Sequence, residues 1–338
     1  MKKTLIAVAA LAATGAFAQN VTVSGTMDAT YRSGKTETAA GVATNTNKIG
    51  KDGIGTTGFT LSGNEDLGGG MKAVFLVETN FDGTDTANQN SVLNGQMFVG
   101  LEGGFGSIKL GAPNSPSLTV QSSRGGSFST KDGGRLAPGA GGYTTLMGVA
   151  VTRFDNSVNY TTPNFGGFSA GVTYAPKSDD GATPAIGALT DIGGFYSNGP
   201  IAAGVSIYNQ EFSGAGNKQA LTSYYVTYDF KFAKFGLGGH AYKADNATVN
   251  VTDNSSIGAL AEVPLSTALT LSVNLQKLDD KGAADVDSTM MAVGVQYALS
   301  KRTTVYARYV SQTANTDLSA GTTVKTASTM LAGLRHNF

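Results

Sequence analysis

The chain alternates between apolar and polar side chains along most of its length, which is the period of a β-strand. Over 21–32, the odd positions carry valine, glycine, methionine, alanine and tyrosine, whereas the even positions carry threonine, serine, aspartate and arginine. Because successive side chains of a strand point to opposite faces, this stretch predicts a strand with one apolar and one polar face. The same alternation recurs at 168–174, 269–276 and 291–297.

Sixteen such segments are predicted, each near the roughly 9–11 residues with which a tilted strand crosses a bilayer. Short connections alternate with long ones, as in outer-membrane β-barrels, and the longest is 112–148, between the fifth and sixth segments. The segments are 20–32, 57–65, 70–80, 93–102, 105–111, 149–161, 166–175, 187–196, 200–210, 219–229, 234–243, 255–263, 267–277, 288–298, 303–311 and 325–338.

The first eighteen residues have the features of a secretory signal peptide. Lys2 and Lys3 precede an apolar run at 5–13, and Ala16-Phe17-Ala18 forms a small-residue cleavage site. Cleavage there would leave 19–338 as one domain. Beyond residue 18, no apolar run approaches the roughly 18 residues of a membrane-spanning helix, so the exported chain is either soluble or a β-barrel.

The amino-acid composition of the two strand faces favours the barrel over a soluble β-sandwich. A sandwich buries large apolar side chains between its sheets, whereas the apolar face here is rich in alanine, glycine and valine, and the polar face is large and lightly charged. A closed barrel with a water-filled lumen accounts for both faces and leaves no open sheet edge. We therefore predict an all-β fold: a transmembrane, antiparallel, 16-stranded β-barrel.

Composition narrows the function further. The 338 residues include 46 glycines, no cysteine, and equal numbers of basic and acidic residues, 24 each. Lack of cysteine excludes disulfide scaffolds and cysteine-based metal sites, and lack of a basic excess argues against a nucleic-acid partner. Neither histidine, His240 or His336, has a nucleophile or acid–base set recognisable around it, so we predict no enzyme and no cofactor.

Charged side chains predicted to line the lumen fall into two groups. The first group lies on the polar face of predicted strands: Asp28, Arg32, Lys109, Arg153 and Asp155, with Glu78 and Arg335 sharing that parity. The second group lies in the long connection 112–148: Arg124, Lys131, Asp132 and Arg135. Opposed charges across a narrow lumen create a transverse field that orients polar solutes. The basic excess of the second group predicts a mild anion preference.

Five motifs span most of the chain after the signal peptide: 64–68 (Asn-Glu-Asp-Leu-Gly), 100–106 (Gly-Leu-Glu-Gly-Gly-Phe-Gly), 153–160 (Arg-Phe-Asp-Asn-Ser-Val-Asn-Tyr), 298–303 (Ala-Leu-Ser-Lys-Arg-Thr) and 333–338 (Gly-Leu-Arg-His-Asn-Phe). In this order along the chain, they resemble the general porins of the neisserial and beta-proteobacterial type. The terminal phenylalanine, Phe338, resembles the recognition signal for the barrel-assembly machinery.

The resemblance implies a homotrimeric diffusion pore in the outer membrane, surrounded by lipid and lipopolysaccharide and open to small hydrophilic solutes and ions. It also implies that 112–148 is the third external loop, folded inward as a constriction. Two features depart from the family pattern: the loop is more basic than usual, and Ala112 stands where relatives often carry arginine. Two alternatives stay open, a solute-specific channel and a barrel adhesin or enzyme without an open pore.

Overall fold

The strands form one antiparallel sheet that closes on itself, because the first strand pairs with the last. The computed structural model describes residues 20–38, 41–85, 94–125, 153–177, 186–212, 218–245, 252–281, 287–317 and 322–338. No helix within these ranges is long and apolar enough to cross a membrane. The closed antiparallel sheet confirms the predicted all-β barrel.

Seventeen strand segments and one helix make up the described fold. The helix α1 (Pro116–Gly125) lies between β6 and β7. The strands are β1 (Asn20–Thr38), β2 (Ala43–Lys51), β3 (Gly58–Gly68), β4 (Met71–Asn80), β5 (Met97–Gly103), β6 (Gly106–Ala112), β7 (Ser157–Thr161), β8 (Phe168–Ala175), β9 (Ile186–Asn198), β10 (Ile201–Phe212), β11 (Lys218–Asp229), β12 (Lys234–Asp245), β13 (Thr252–Pro264), β14 (Leu269–Asp280), β15 (Ser288–Ala298), β16 (Thr303–Asp317) and β17 (Thr322–Asn337).

The seventeen segments occupy sixteen positions in the barrel. β3 pairs with the first part of β1, and β2 pairs with the later part of the same strand, so β2 and β3 together form one interrupted wall strand. The predicted count of sixteen is therefore confirmed. The prediction of a loop over 33–56 was wrong, because β1 continues to Thr38 and 43–51 forms β2. Most of β2 is exposed, so its sequence lacks the apolar alternation that marks the other strands.

Other strand boundaries differ mainly at the end away from the short turns. β16 continues to Asp317 and β17 begins at Thr322, where the sequence predicted a loop over 312–324. The opposite difference occurs at the predicted strand 149–161. Its described part is a strand only from Ser157, while Arg153 forms an isolated bridge with Asn114.

The barrel wall has apolar side chains on its outer face and polar side chains on its inner face, the reverse of the distribution in a soluble protein. Aliphatic side chains such as Val23, Leu237 and Ile257 are exposed on the outer face, whereas polar side chains such as Ser223 and Asn274 are buried on the inner face. An outer surface in contact with lipid and a polar interior require this arrangement. The parity of the strand sequences therefore predicts the inner and outer faces correctly.

Exposed and half-buried aromatic rings cluster near the short turns at one end of the barrel. The Phe168 and Tyr196 ring centroids lie 4.5 Å apart, and Phe230 lies 4.4 Å from Tyr228 and 5.9 Å from Phe235. Rings with an apolar body and a polarisable edge are typical of a membrane–water interface. This cluster supplies a girdle in a chain that has no tryptophan.

Where the last strand pairs with β1 to close the barrel, the C-terminal Phe338 packs over Gly25. The main-chain N–H of Gly25 donates to the Phe338 carbonyl and the Phe338 N–H donates to the Gly25 carbonyl, each at 3.0 Å. The Phe338 ring covers Gly25 so closely that a Cβ on residue 25 would lie 2.5 Å from Phe338 Cζ and 2.6 Å from the Gly58 carbonyl oxygen. Closure therefore requires the absence of a side chain at this position.

Replacing Gly25 with alanine should impair closure of the barrel. The added methyl group would overpack the contact with Phe338, at a cost of about 1–3 kcal/mol. We expect a lower yield of the heat-modifiable folded band on gels after refolding. Gly194→Ala is the matched control, because a Cβ there meets no atom within 4 Å. Equal yields from the two variants would contradict the closure argument.

Candidate functional site: two segments inside the barrel

The helix α1 lies inside the barrel, against the inner faces of β8 to β12. Its first turn is fixed to β9 by Asp191. The Ser117 N–H donates to Asp191 Oδ2 at 3.0 Å, and the Ser117 hydroxyl donates to Oδ1 at 2.7 Å. The Ser115 hydroxyl caps the helix by accepting the Leu118 N–H at 3.1 Å. A carboxylate beside this end also complements the helix dipole.

Glycines in the wall let α1 approach closely. A Cβ on Gly193 would lie 2.7 Å from Pro116 Cβ, and one on Gly171 would lie 3.4 Å from Pro116 Cγ. Both glycines stand on the inner face, directly beneath the start of the helix. The helix is therefore held by close packing against these wall glycines as well as by hydrogen bonds to the wall.

A second segment enters the lumen between β2 and β3. We call residues Asp52–Thr57 the ledge. Lys51 pairs with Ala29 and Gly58 pairs with Thr26, so the six ledge residues stand opposite only two residues of β1. The ledge contacts the inward-facing side chains of Asp28, Tyr306 and Arg335, which places it inside the barrel.

Asp28 is the hydrogen-bonding centre of the ledge. Its Oδ2 accepts the main-chain N–H groups of Ile54 at 2.8 Å and Gly55 at 2.6 Å, while its Oδ1 accepts the Tyr306 hydroxyl proton. The Asp28 carbonyl accepts the Asp52 N–H at 3.2 Å and the Thr57 hydroxyl at 3.1 Å. Both ends of the ledge and its middle are thus joined to one residue, which is only 2% exposed.

Arginines surround the ledge on the same wall. Arg32 donates to the carbonyls of Lys51 at 2.6 Å and Asp52 at 3.3 Å, and Arg308 donates to the Gly53 carbonyl at 3.4 Å. Two further inward cations complete this basic wall. Arg335 stands opposite Asp28 and Lys48 stands opposite Arg32 in the strand register.

Some of the predicted lumen residues come together and others do not. Asp28 and Arg32 meet at the ledge. Lys109 lies apart on the inner face of β6, 3.9 Å from Glu102 and 4.9 Å from the Phe98 ring centroid. Glu78 accepts the Gln96 N–H at 3.2 Å. Arg153 donates to Asn114 Oδ1 at 3.4 Å and to the Asn94 carbonyl at 3.1 Å.

Asp155 lies exposed in the turn before β7, so it does not occupy the strand position from which its inward parity was inferred. Arg124 belongs to α1, but its side chain lies outside the described part of the chain, as do Lys131, Asp132 and Arg135. The eyelet role of these loop residues stays a prediction.

Sequence reasoning missed Lys48, Arg308 and the ledge itself. Arg308 shares its parity with Tyr306 and Val310 on β16, and that parity places all three inward. Lys48 and the ledge fell within the predicted loop 33–56. The sequence around Asp28 is that of an ordinary strand. Nothing in it indicates that this aspartate accepts the main-chain N–H groups of two residues about 26 positions away.

His240 faces inward and is only 2% exposed. The Ser256 hydroxyl lies 2.6 Å from His240 Nδ1, and His240 Nε2 lies 2.9 Å from Asn254 Oδ1. A serine, a histidine and an amide in a chain resemble a hydrolytic set. However, Ser256 is also buried, so these hydrogen bonds connect β12 to β13 and the serine is not an exposed nucleophile.

The barrel wall, its polar lumen and its two inward segments define a membrane channel. A family model described as Gram-negative porin matches residues 4–317. The chain belongs to the Gram-negative porin family and is an outer-membrane porin that allows passive diffusion.

Individual relatives support the same assignment. The chain is 32% identical to outer membrane porin protein 32 of Delftia acidovorans, covering 90% of this chain and 88% of the relative. It is 30% identical to the major outer membrane protein P.IB of Neisseria lactamica, covering 100% of both. Among solved structures, the anion-selective porin from Comamonas acidovorans matches with a TM-score of 0.80 and 25% identity, over 95% of this chain and 100% of that one.

Replacing Gly193 with alanine should displace α1. The new methyl group would overlap Pro116, at a packing cost of about 1–3 kcal/mol, and would push the helix toward the lumen. We expect lower single-channel conductance in planar bilayers. Gly194→Ala, one residue along and on the outer face, should conduct like the unmodified protein. Unchanged conductance in Gly193→Ala would show that this contact does not set the helix position.

Proposed function

We propose that this porin is a homotrimeric diffusion channel with a mild preference for anions. The observation that carries the preference is the basic wall around the ledge. Four inward cations, Arg32, Lys48, Arg308 and Arg335, stand near two acids, Asp28 and Asp52. A wall with a surplus of one sign raises the local concentration of ions of the other sign.

Hydrogen bonding strengthens the effect of this surplus. The Asp28 carboxylate accepts two main-chain N–H groups and a hydroxyl, and Asp52 Oδ1 accepts the Thr57 N–H. These donors direct positive ends of dipoles at both acids, which reduces the negative potential that they project into the lumen. The similar protein from Comamonas acidovorans is an anion-selective porin, which supports the same sign for this chain.

The sequence placed the anion preference in 112–148, through Arg124, Lys131, Asp132 and Arg135. The wall residues now carry the proposal independently of that loop. We retain 112–148 as the proposed constriction loop, since its helix α1 is fixed inside the barrel through Ser117 and Asp191.

The remaining parts of the proposal rest on family resemblance. We propose a trimer in contact with outer-membrane lipid and lipopolysaccharide, assembled through recognition of Phe338 by the barrel-assembly machinery after removal of 1–18. A Vibrio cholerae outer membrane protein of similar fold, OmpT, is described in a trimer form. We propose no enzymatic activity, no cofactor and no nucleic-acid partner.

Recordings from planar bilayers test the channel proposal directly. A trimer of open pores should show a large ohmic conductance made up of three equal steps. Saturation of the current by one sugar or anion would favour a solute-specific channel instead, and a folded barrel without conductance would favour an adhesin or enzyme.

Replacing Arg335 with glutamine should reduce the anion preference. Within the described residues Arg335 Nε has no hydrogen-bond partner, so the change removes charge without removing a hydrogen bond at that atom. We expect the chloride-to-potassium permeability ratio, measured from reversal potentials in a salt gradient, to fall roughly twofold. Lys277→Gln removes the same charge from the exposed outer face and should leave the ratio unchanged. A cation-selective unmodified protein would overturn the proposed sign.

A further inference from the structure

We propose that the ledge is a second constriction of the pore, opposite α1, and that Asp28 is the positioning residue that holds it there. The inference extends the channel function to the element that sets the aperture. The ledge, Asp52–Thr57, projects from the wall formed by β16, β17, β1 and β2.

The ledge and α1 face each other across the lumen. On the closed ring of sixteen positions, β10 is eight positions from β1 and therefore lies across the barrel from it. β1 carries Asp28, whereas β10 lies near the middle of the wall that receives α1. The two inward segments thus reduce the open cross-section from opposite sides.

The ledge is held rigidly enough to serve as a fixed boundary. Asp52 enters it with φ of +66°, a left-handed conformation that aspartate tolerates, and Ile54 is 3% exposed. Glycine is required at 53, because a Cβ there would lie 2.0 Å from the Tyr306 hydroxyl oxygen. Arg308 on β16 and Asp28 on β1 both hold the ledge, from either side of β17, so its position does not depend on its own short sequence alone.

Asp28 is the residue on which this position depends most. Its carboxylate satisfies the N–H groups of Ile54 and Gly55, which are buried. Loss of the acceptor would leave both N–H groups without that partner in the wall, and buried donors without partners are strongly disfavoured. The ledge would then detach from the wall, and the aperture that it bounds would no longer be fixed. Asp28 therefore acts through the ledge and need not contact a permeating ion.

A deletion tests the constriction without breaking the wall. Removing Gly53–Thr56 leaves residue 52 opposite Asp28 and Thr57 opposite Met27, which continues the existing pairing of Lys51 with Ala29 and of Gly58 with Thr26. Asp52→Asn should accompany the deletion, because two carboxylates would otherwise face each other. We expect a folded barrel whose single-channel conductance rises roughly 1.5-fold or more.

Point variants test the role of Asp28. Asp28→Ala should change the single-channel conductance and add current noise, because the ledge loses its fixed position. Asp28→Asn keeps one carbonyl acceptor and should retain most of the original conductance without the added noise. Glu211→Gln removes one acidic charge at an exposed strand end, where Glu211 lies 3.6 Å from Lys218, and serves as the control. A change in Asp28→Asn as large as that in Asp28→Ala would assign the effect to charge and overturn the positioning role.

The full-length protein is used throughout, and heat-modifiable migration on gels identifies folded barrels before recording. If Asp28→Ala does not fold, the deletion variant decides the constriction and Asp28→Asn decides the positioning role. A folded deletion variant with the conductance of the unmodified protein would overturn the constriction proposal. That result differs from failure of the channel proposal, in which the unmodified protein and Glu211→Gln would not conduct either.

Discussion

The pairing of β1 on both of its edges is the interaction on which the rest of this structure depends. Lipid offers no hydrogen-bond partners to a main chain, so every strand edge inside the membrane must be paired. β1 meets β17 on one side and the interrupted strand formed by β2 and β3 on the other. The same strand carries Gly25, which admits the Phe338 ring, and Asp28, which receives the ledge. Closure and lumen shape are therefore encoded within a few residues of one another.

Both inward segments are attached to the wall by the same physical device. In each case one buried carboxylate accepts main-chain N–H donors. Asp191 accepts that of Ser117 at the start of α1, and Asp28 accepts two at the middle of the ledge. Such charge-assisted bonds are stronger than neutral ones and fix direction as well as distance. Arg32 and Arg308 complement these acids by donating to main-chain carbonyls at the ledge. In the proposed anion-preferring channel, the same arginines also contribute the positive charge of the basic wall.

The sequence predicted the regular part of the molecule well, because the period-two alternation is imposed by two solvents, lipid outside and water inside. It predicted the inward parity of Asp28, Arg32 and Lys109 for the same reason. It failed where that constraint is absent. β2 stands largely exposed on both faces, so nothing in its composition distinguishes strand from loop. The ledge is held by contacts with Asp28, Tyr306 and Arg308, which are distant in the chain, and no local pattern records them.

Because of the way the ledge joins its neighbouring strands, the width of the constriction can change while the diameter of the barrel stays the same. Strand number and stagger fix the diameter of a barrel, and changing either would require rebuilding the whole wall. The ledge begins and ends at positions that are already adjacent in the strand register, so residues gained or lost within it leave the pairing on both sides unaltered. A lineage that needs a finer or coarser molecular sieve can therefore obtain one by a short insertion or deletion at this place. The same site provides an adjustable sensing constriction if the barrel is adapted as a nanopore sensor.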